Sequence, residues 1–295
     1  MFADKLYEKI IEYKNPTVLG LDPLIEYVPD SIRKKYSNDI DAIYHFNKDL
    51  INNLHKIIPA VKCQSAYYEL LGPKGGYLLQ KTMDYAKSKG MLVILDCKRN
   101  DIGSTARAYA NAYLNDGIYS ADAITVNGYL GSDGITPFVN KCIELGKGIY
   151  ILVKTSNKSS YELQDMKLEN GLKVYEHMAQ LVSSWGEKVI GKYGYSSVGA
   201  VIGATHPKQL AELRQTMKSS IFLVPGYGAQ GGGVEDVKDA FDKYGNGAII
   251  NSSRGLMCAY KKYNLSKEQF IKAAILEALD MKEQFNKFIN LKGNS

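Results

Sequence analysis

Short apolar runs rich in Val and Ile recur along the chain, each followed by a longer segment whose apolar positions return every three or four residues. The runs lie at 17–21, 60–64, 91–95, 123–126, 148–153, 198–202, 221–224 and 248–250. The longer segments predict helices near 39–57, 74–89, 103–115, 133–145 and 171–191, one opening at Pro207, and two near 234–243 and 266–289. In the first of these, Ile40, Ile43, Phe46, Leu50 and Leu54 share a face. Near-continuous apolar strands imply a sheet buried on both sides, hence a parallel one. Strict alternation over eight strand–helix units favours an α/β fold closed as a single (β/α)8 TIM barrel over an open doubly wound sheet. Pro16, Pro59, Pro73, Pro207 and Pro225 all fall next to element ends, where a missing N–H does least harm.

Length is compatible with this. The 295 residues could form two average domains, but a barrel of this kind uses such a length as one, and no linker or repeat divides the chain. One domain spanning 1–295 is expected. Hydrophobic residues at 45% and charged residues at 23% exclude disorder, collagen and coiled coil for the chain as a whole. The 37 Lys and Arg exceed the 31 Asp and Glu by six, and the basic residues are spread out. That balance suits an anionic small molecule and does not call for nucleic acid. Cys63, Cys97, Cys142 and Cys258 show no CxxC spacing and read as reduced, buried thiols. The first residues carry charges where a leader peptide would be apolar, and no apolar run is long enough to span a bilayer. A cytoplasmic protein without membrane contact is expected. The histidines at 45, 55, 177 and 206 stand at no metal-ligand spacing and read as surface or packing residues.

In a barrel the chemistry sits at the C-terminal strand ends. There the chain places Asp22, then Lys62 and Gln64, then Asp96, Lys98 and Asp101, then Lys154, Thr155, Ser156 and Asn157. Residues i and i+2 of a strand share a face, so Asp96 and Lys98 both aim at the mouth. Lys62 from the neighbouring strand adds to an alternating set of charges. A lysine held between carboxylates stays protonated and can deliver a proton. The plainer readings are that Asp101 caps a helix and that Asp96 and Lys98 form one ion pair. Gly226, Gly228 and Gly231 match the dinucleotide spacing, but they follow the seventh strand and stand in no Rossmann half. Loops after strands 7 and 8 of barrels often hold phosphate. Gln230 and Arg254 supply donors suited to it there.

Asp96, Lys98, Asp101, Ile102 and Thr105 together resemble the signature of the orotidine 5′-monophosphate decarboxylase family. The likeness extends through Leu19 to Pro23, Val61 to Glu69, Asp122 to Asn127, Val153 to Asn157, Val224 to Gly232 and Ser253 to Gly255. The Lys62-x-Gln64 pair and the Lys154 to Asn157 run resemble the longer bacterial, type 2 branch. The resemblance implies a cofactor-free conversion of orotidine 5′-monophosphate to uridine 5′-monophosphate and CO2, the last step of pyrimidine synthesis. It implies that Lys98 protonates C6, that Asp96 sits beside the departing carboxylate, and that Lys62 holds Asp96 and the ribose. Asp22 would bind ribose hydroxyls, Thr155 or Ser156 the pyrimidine edge, and Gln230 and Arg254 the phosphate. Asp101, Ile102 and Thr105 would reach the site from the partner of a homodimer. Sugar-phosphate relatives share the Asp-x-Lys-x-x-Asp core but use magnesium held by an acidic residue ending the second strand, where this chain has Lys62. A Schiff-base aldolase would need a lysine of lowered pKa, which flanking carboxylates oppose. A non-catalytic phosphate binder would have no need of the full charged set.

Overall fold

A computed structural model describes residues 1–228 and 233–288. The eight apolar runs are eight parallel strands: β1 Thr17–Leu21, β2 Ala60–Gln64, β3 Leu92–Arg99, β4 Ala123–Val126, β5 Gly148–Lys154, β6 Ser196–Ile202, β7 Ser220–Val224 and β8 Ala248–Ser252. They pair in chain order, and β8 returns to β1, with Val18 opposite both Ala60 and Asn251. The sheet therefore closes as a (β/α)8 barrel.

Two apolar layers explain why the strands read as unbroken apolar runs. Leu19, Val61, Val93 and Leu95 point outward against helix residues such as Phe46, Leu50, Met83 and Phe138. Their neighbours Val18, Ala60, Leu92 and Ile94 point inward, together with Tyr150, Leu223 and Ile249. Alternate residues thus face opposite apolar environments, and neither side of a strand carries a polar row.

The N-terminal segment was not among the expected elements. It forms α1, Phe2–Tyr13, and buries Phe2, Ala3, Leu6, Tyr7 and Ile10 against the inward-facing strand residues. The spacing of those positions is helical. Its place is the bottom of the barrel, where the Phe2 ring fills the space a Cβ on Gly148, the first residue of β5, would need. The Ala3 N–H donates to Ser197 Oγ at the start of β6 (3.3 Å). The helix ends at Lys14 in the left-handed conformation. Buried Asn15 then ties the chain down, donating to Ile57 O and accepting from Thr17 N.

Other differences are at element ends. The helix expected over 171–191 is Val174–Gly186 followed by a 3-10 turn, Glu187–Val189. That expected over 234–243 is one α turn, Val234–Val237, and one 3-10 turn, Lys238–Ala240. The final helix is Phe270–Phe288. No helix among the described residues is long and apolar enough to cross a membrane. All four cysteines are free and buried, and burial pushes the Cys63, Cys97 and Cys142 thiols up to about 12.

Candidate active site

The parallel register brings the charged residues together. Gln64 lies opposite Asp96, and Lys62, two residues earlier on β2, shares its face. Asp96 is 7% exposed and accepts four hydrogen bonds. Oδ2 takes Lys62 Nζ (2.7 Å) and Gln64 Nε2 (3.1 Å). Oδ1 takes Lys98 Nζ (2.6 Å) and the Thr125 hydroxyl (2.8 Å). Burial alone would raise the Asp96 pKa. The ammonium groups of Lys62 and Lys98 outweigh it and hold the carboxyl well below the usual carboxylate range. For Lys62, 3% exposed, burial favours the neutral amine, but the charges of Asp96 and Asp22 more than offset that and raise its pKa. Both groups are therefore ionised at neutral pH.

Lys98 reaches Asp96 by a different backbone path from the regular strand assumed for it. Leu95 pairs with Ile124 and Arg99 with Val126, so four steps of β3 run beside two of β4. This bulge puts Lys98 at φ +45°, a conformation L-residues adopt at a cost. The Lys98 N–H turns to Thr125 Oγ1 (2.9 Å), and the side chain swings back over Asp96. Simple i, i+2 alternation predicts the right neighbours although the strand is not regular there. Thr125 was missed at the sequence level. Its signal is a lone hydroxyl in an otherwise apolar strand.

The charged group forms one wall of a cavity of about 550 Å³ at the C-terminal mouth. Asp22, just after β1, also borders it, with Oδ1 buried and lacking a hydrogen-bond partner among the described residues. Across the mouth lie residues 225–227, Asn251 and Arg254. Arg254 opens the short helix Arg254–Met257 that follows β8 and is exposed. After β7, Gly226 and Gly228 stand at φ +96° and +70°. Gln230 lies outside the described residues.

After β5, Thr155 and Ser156 border the same cavity, and so does Gln164, which the sequence did not single out. The Thr155 N–H donates to Gln164 Oε1 (3.0 Å), and Gln164 Nε2 donates to Thr155 Oγ1 (2.7 Å). The Thr155 hydroxyl donates in turn to Asn157 Oδ1 (2.6 Å). His206 contributes through a ring nitrogen 2.9 Å from Thr155 O. Lys154 takes no part in the cavity wall. It is 1% exposed and pairs with Asp165 (2.7 Å).

Asp101, Ile102 and Thr105 do not border this chain's own cavity. Asp101 Oδ1 accepts the Ile102 N–H (2.8 Å), and Ile102 is 55% exposed just before the helix Gly103–Leu114. Among the described residues no three His, Cys, Asp or Glu side chains converge as metal ligands.

Two lysines, a carboxylate and a distal arginine thus border one cavity. The sequence model described as "Orotidine 5'-phosphate decarboxylase / HUMPS family" matches residues 19–266. The chain belongs to the orotidine 5′-phosphate decarboxylase / HUMPS family. Two curated relatives named orotidine 5′-phosphate decarboxylase, from Clostridium acetobutylicum and Clostridium tetani, are each 40% identical. The first alignment covers 97% of this chain and 99% of the relative, and the second 99% and 100%. A solved structure of Leishmania donovani OMP decarboxylase superposes with TM-score 0.76 at 29% identity, covering 97% of this chain and 98% of that one. The matched segment takes in β1 from Leu19 onward and the whole of β2 to β8.

Proposed function

We propose that this chain decarboxylates orotidine 5′-monophosphate to uridine 5′-monophosphate and CO2, with Lys98 as the proton donor to C6. The observation that carries the reading is the buried Lys62–Asp96–Lys98 array opening on a cavity whose far side holds Arg254. In the reaction the C6–carboxylate bond breaks and its electron pair stays on C6. A proton from the Lys98 ammonium then forms the C6–H bond, and the amine left behind is reprotonated from water.

An ammonium fixed beside C6 stabilises the developing charge before it quenches it. This combines electrostatic preorganisation with general acid catalysis. Lys98 has three donors and spends one on Asp96, which leaves donors for the reacting centre. Lys62 and Lys98 against Asp96 leave the triad one positive charge in excess. Asp22 beside Lys62, and Asp101 supplied by the second subunit, offset that excess, so the substrate carboxylate beside Asp96 meets a set of alternating charges.

The rest of the ligand fits around this centre. Asp22, with an unpartnered buried oxygen, and Lys62 take the ribose. Thr155 or Ser156 takes the pyrimidine edge. Since the Thr155 hydroxyl is engaged on both sides, Ser156 is the freer of the two. Arg254 and Gln230 take the phosphate, with Gln64 holding Asp96 from the neighbouring strand end. Phosphate grip far from C6 lowers the barrier when loop closure converts that binding energy into assembly of the site. Asp101, Ile102 and Thr105 complete the site of the partner in a homodimer. The reaction needs no cofactor, and the reduced thiols suit the cytoplasm.

The test is to incubate purified protein with orotidine 5′-monophosphate and EDTA. Uridine 5′-monophosphate and CO2 should form one for one. No turnover, or turnover only with added magnesium, would overturn the assignment.

A further inference from the structure

We infer that Gln164 determines base specificity, its amide donating to a carbonyl oxygen of the pyrimidine from an arm latched across the mouth after β5. This rests on the reading above that the ligand is an orotidine or uridine 5′-phosphate. The latch is Lys154. It is the last residue of β5, is 1% exposed, and donates to Asp165 Oδ2 (2.7 Å) and Ser160 Oγ (3.3 Å). The Tyr175 ring lies 5.6 Å from its ammonium. A buried ammonium that loses its partner is strongly unfavourable, so the ion pair holds residues 157–165 down on the barrel.

Gln164 is the residue next to this latch. A glutamine amide has two N–H donors and an oxygen with two lone pairs. The Thr155 N–H can only donate, so the atom facing it is Oε1, and this fixes which way the amide points. Nε2 then spends one N–H on Thr155 Oγ1. The second N–H has no partner among the described residues, on a side chain that borders the cavity and cannot rotate without breaking both bonds. The Thr155 hydroxyl gives its own proton to Asn157 Oδ1, so donor capacity on this wall falls to Gln164, Ser156 and the Asn157 amide, of which Gln164 is the one fixed by two hydrogen bonds.

Position decides what the free donor meets. The closed strand order separates β5 from β8 by β6 and β7. With phosphate at Arg254 after β8 and C6 at Lys98 in β3, the base lies over the β3–β5 half. A donor there meets a uracil-type ring carbonyl, not ribose or phosphate.

Titration calorimetry on the full chain with uridine 5′-monophosphate and with ribose 5-phosphate separates the parts. Gln164→Met keeps the length and removes the donors. Uridine 5′-monophosphate should then bind about tenfold more weakly, the scale of one lost neutral hydrogen bond, while ribose 5-phosphate shifts less than about twofold. Asp165→Asn, which weakens the latch but keeps its shape, should give a smaller loss confined to the nucleotide. Unchanged nucleotide affinity in Gln164→Met, or equal losses for both ligands in either variant, overturns the role of Gln164 and its latch. Failure of the unmodified protein to bind uridine 5′-monophosphate would instead overturn the ligand assignment itself.

Discussion

Asp96 is the most constrained residue of the site. Four donors saturate a carboxylate that is almost wholly buried, and two of them are ammonium groups. Lys98 differs from Lys62 in a way that bears on their roles. The Lys62 side chain is 4% exposed and that of Lys98 45%. Lys62 is therefore the more firmly fixed of the two, and Lys98 is the one free to reach the reacting centre. Its left-handed backbone is a strained conformation that the β3–β4 bulge imposes next to the reacting centre. Replacing Lys98 by Ala removes the ammonium and leaves Asp96 bound to Lys62, Gln64 and Thr125. Steady-state kinetics should show kcat lower by at least about 10²–10⁴-fold, the usual weight of a positioned general acid. The melting temperature should move by only a few degrees, because the lost side chain is half exposed. A kcat within about tenfold of the parent would remove Lys98 from its assigned role.

At the scale of elements, α1 and the β5 arm lie at opposite ends of the barrel and have separable functions. The helix closes the bottom chiefly through apolar packing, with Leu6 fully buried among inward-facing strand residues. Leu6→Ala should lower stability by about 2–5 kcal/mol, read by urea unfolding, with kcat at low temperature near that of the parent. A large fall in kcat without a fall in stability would show that the plug is coupled to the mouth. These two elements also mark where sequence reading stops. The strands are legible because both their faces are apolar, and Asp22, Lys62, Gln64, Asp96 and Arg254 follow from knowing where the strands end. The helical spacing of Phe2, Leu6 and Ile10 is present in the sequence but lies before the first strand–helix unit, outside the alternation. The bulge at Lys98 has no local signature, since nothing in Asp96-Cys97-Lys98 announces a positive φ. Gln164 is invisible for another reason: it stands on a polar arm without periodicity, and its role depends on Lys154 folding that arm back. Lys154 itself shows the limit of placement by strand end, since it ends β5 yet serves packing.

For the whole molecule, described residues of one chain line the cavity, and Asp101, Ile102 and Thr105 are not among them. Ile102 is exposed, and Leu70, Tyr77, Tyr129 and Leu130 also leave apolar surface uncovered. If Asp101 serves the partner's cavity, each site draws Asp96 from one chain and Asp101 from the other. Asp96→Ala and Asp101→Ala are then each inactive as homodimers. A dimer of one with the other contains one site carrying both lesions and one carrying neither, since the Asp101→Ala chain supplies Asp96 and its partner supplies Asp101. Random reassociation of equal amounts makes half the dimers mixed, so about a quarter of the parent activity should return. Denaturing and refolding the two variants together, with exchange confirmed by differently tagged chains, provides the measurement. Confirmed mixed dimers that stay inactive would mean that Asp101 acts within its own chain or not at all.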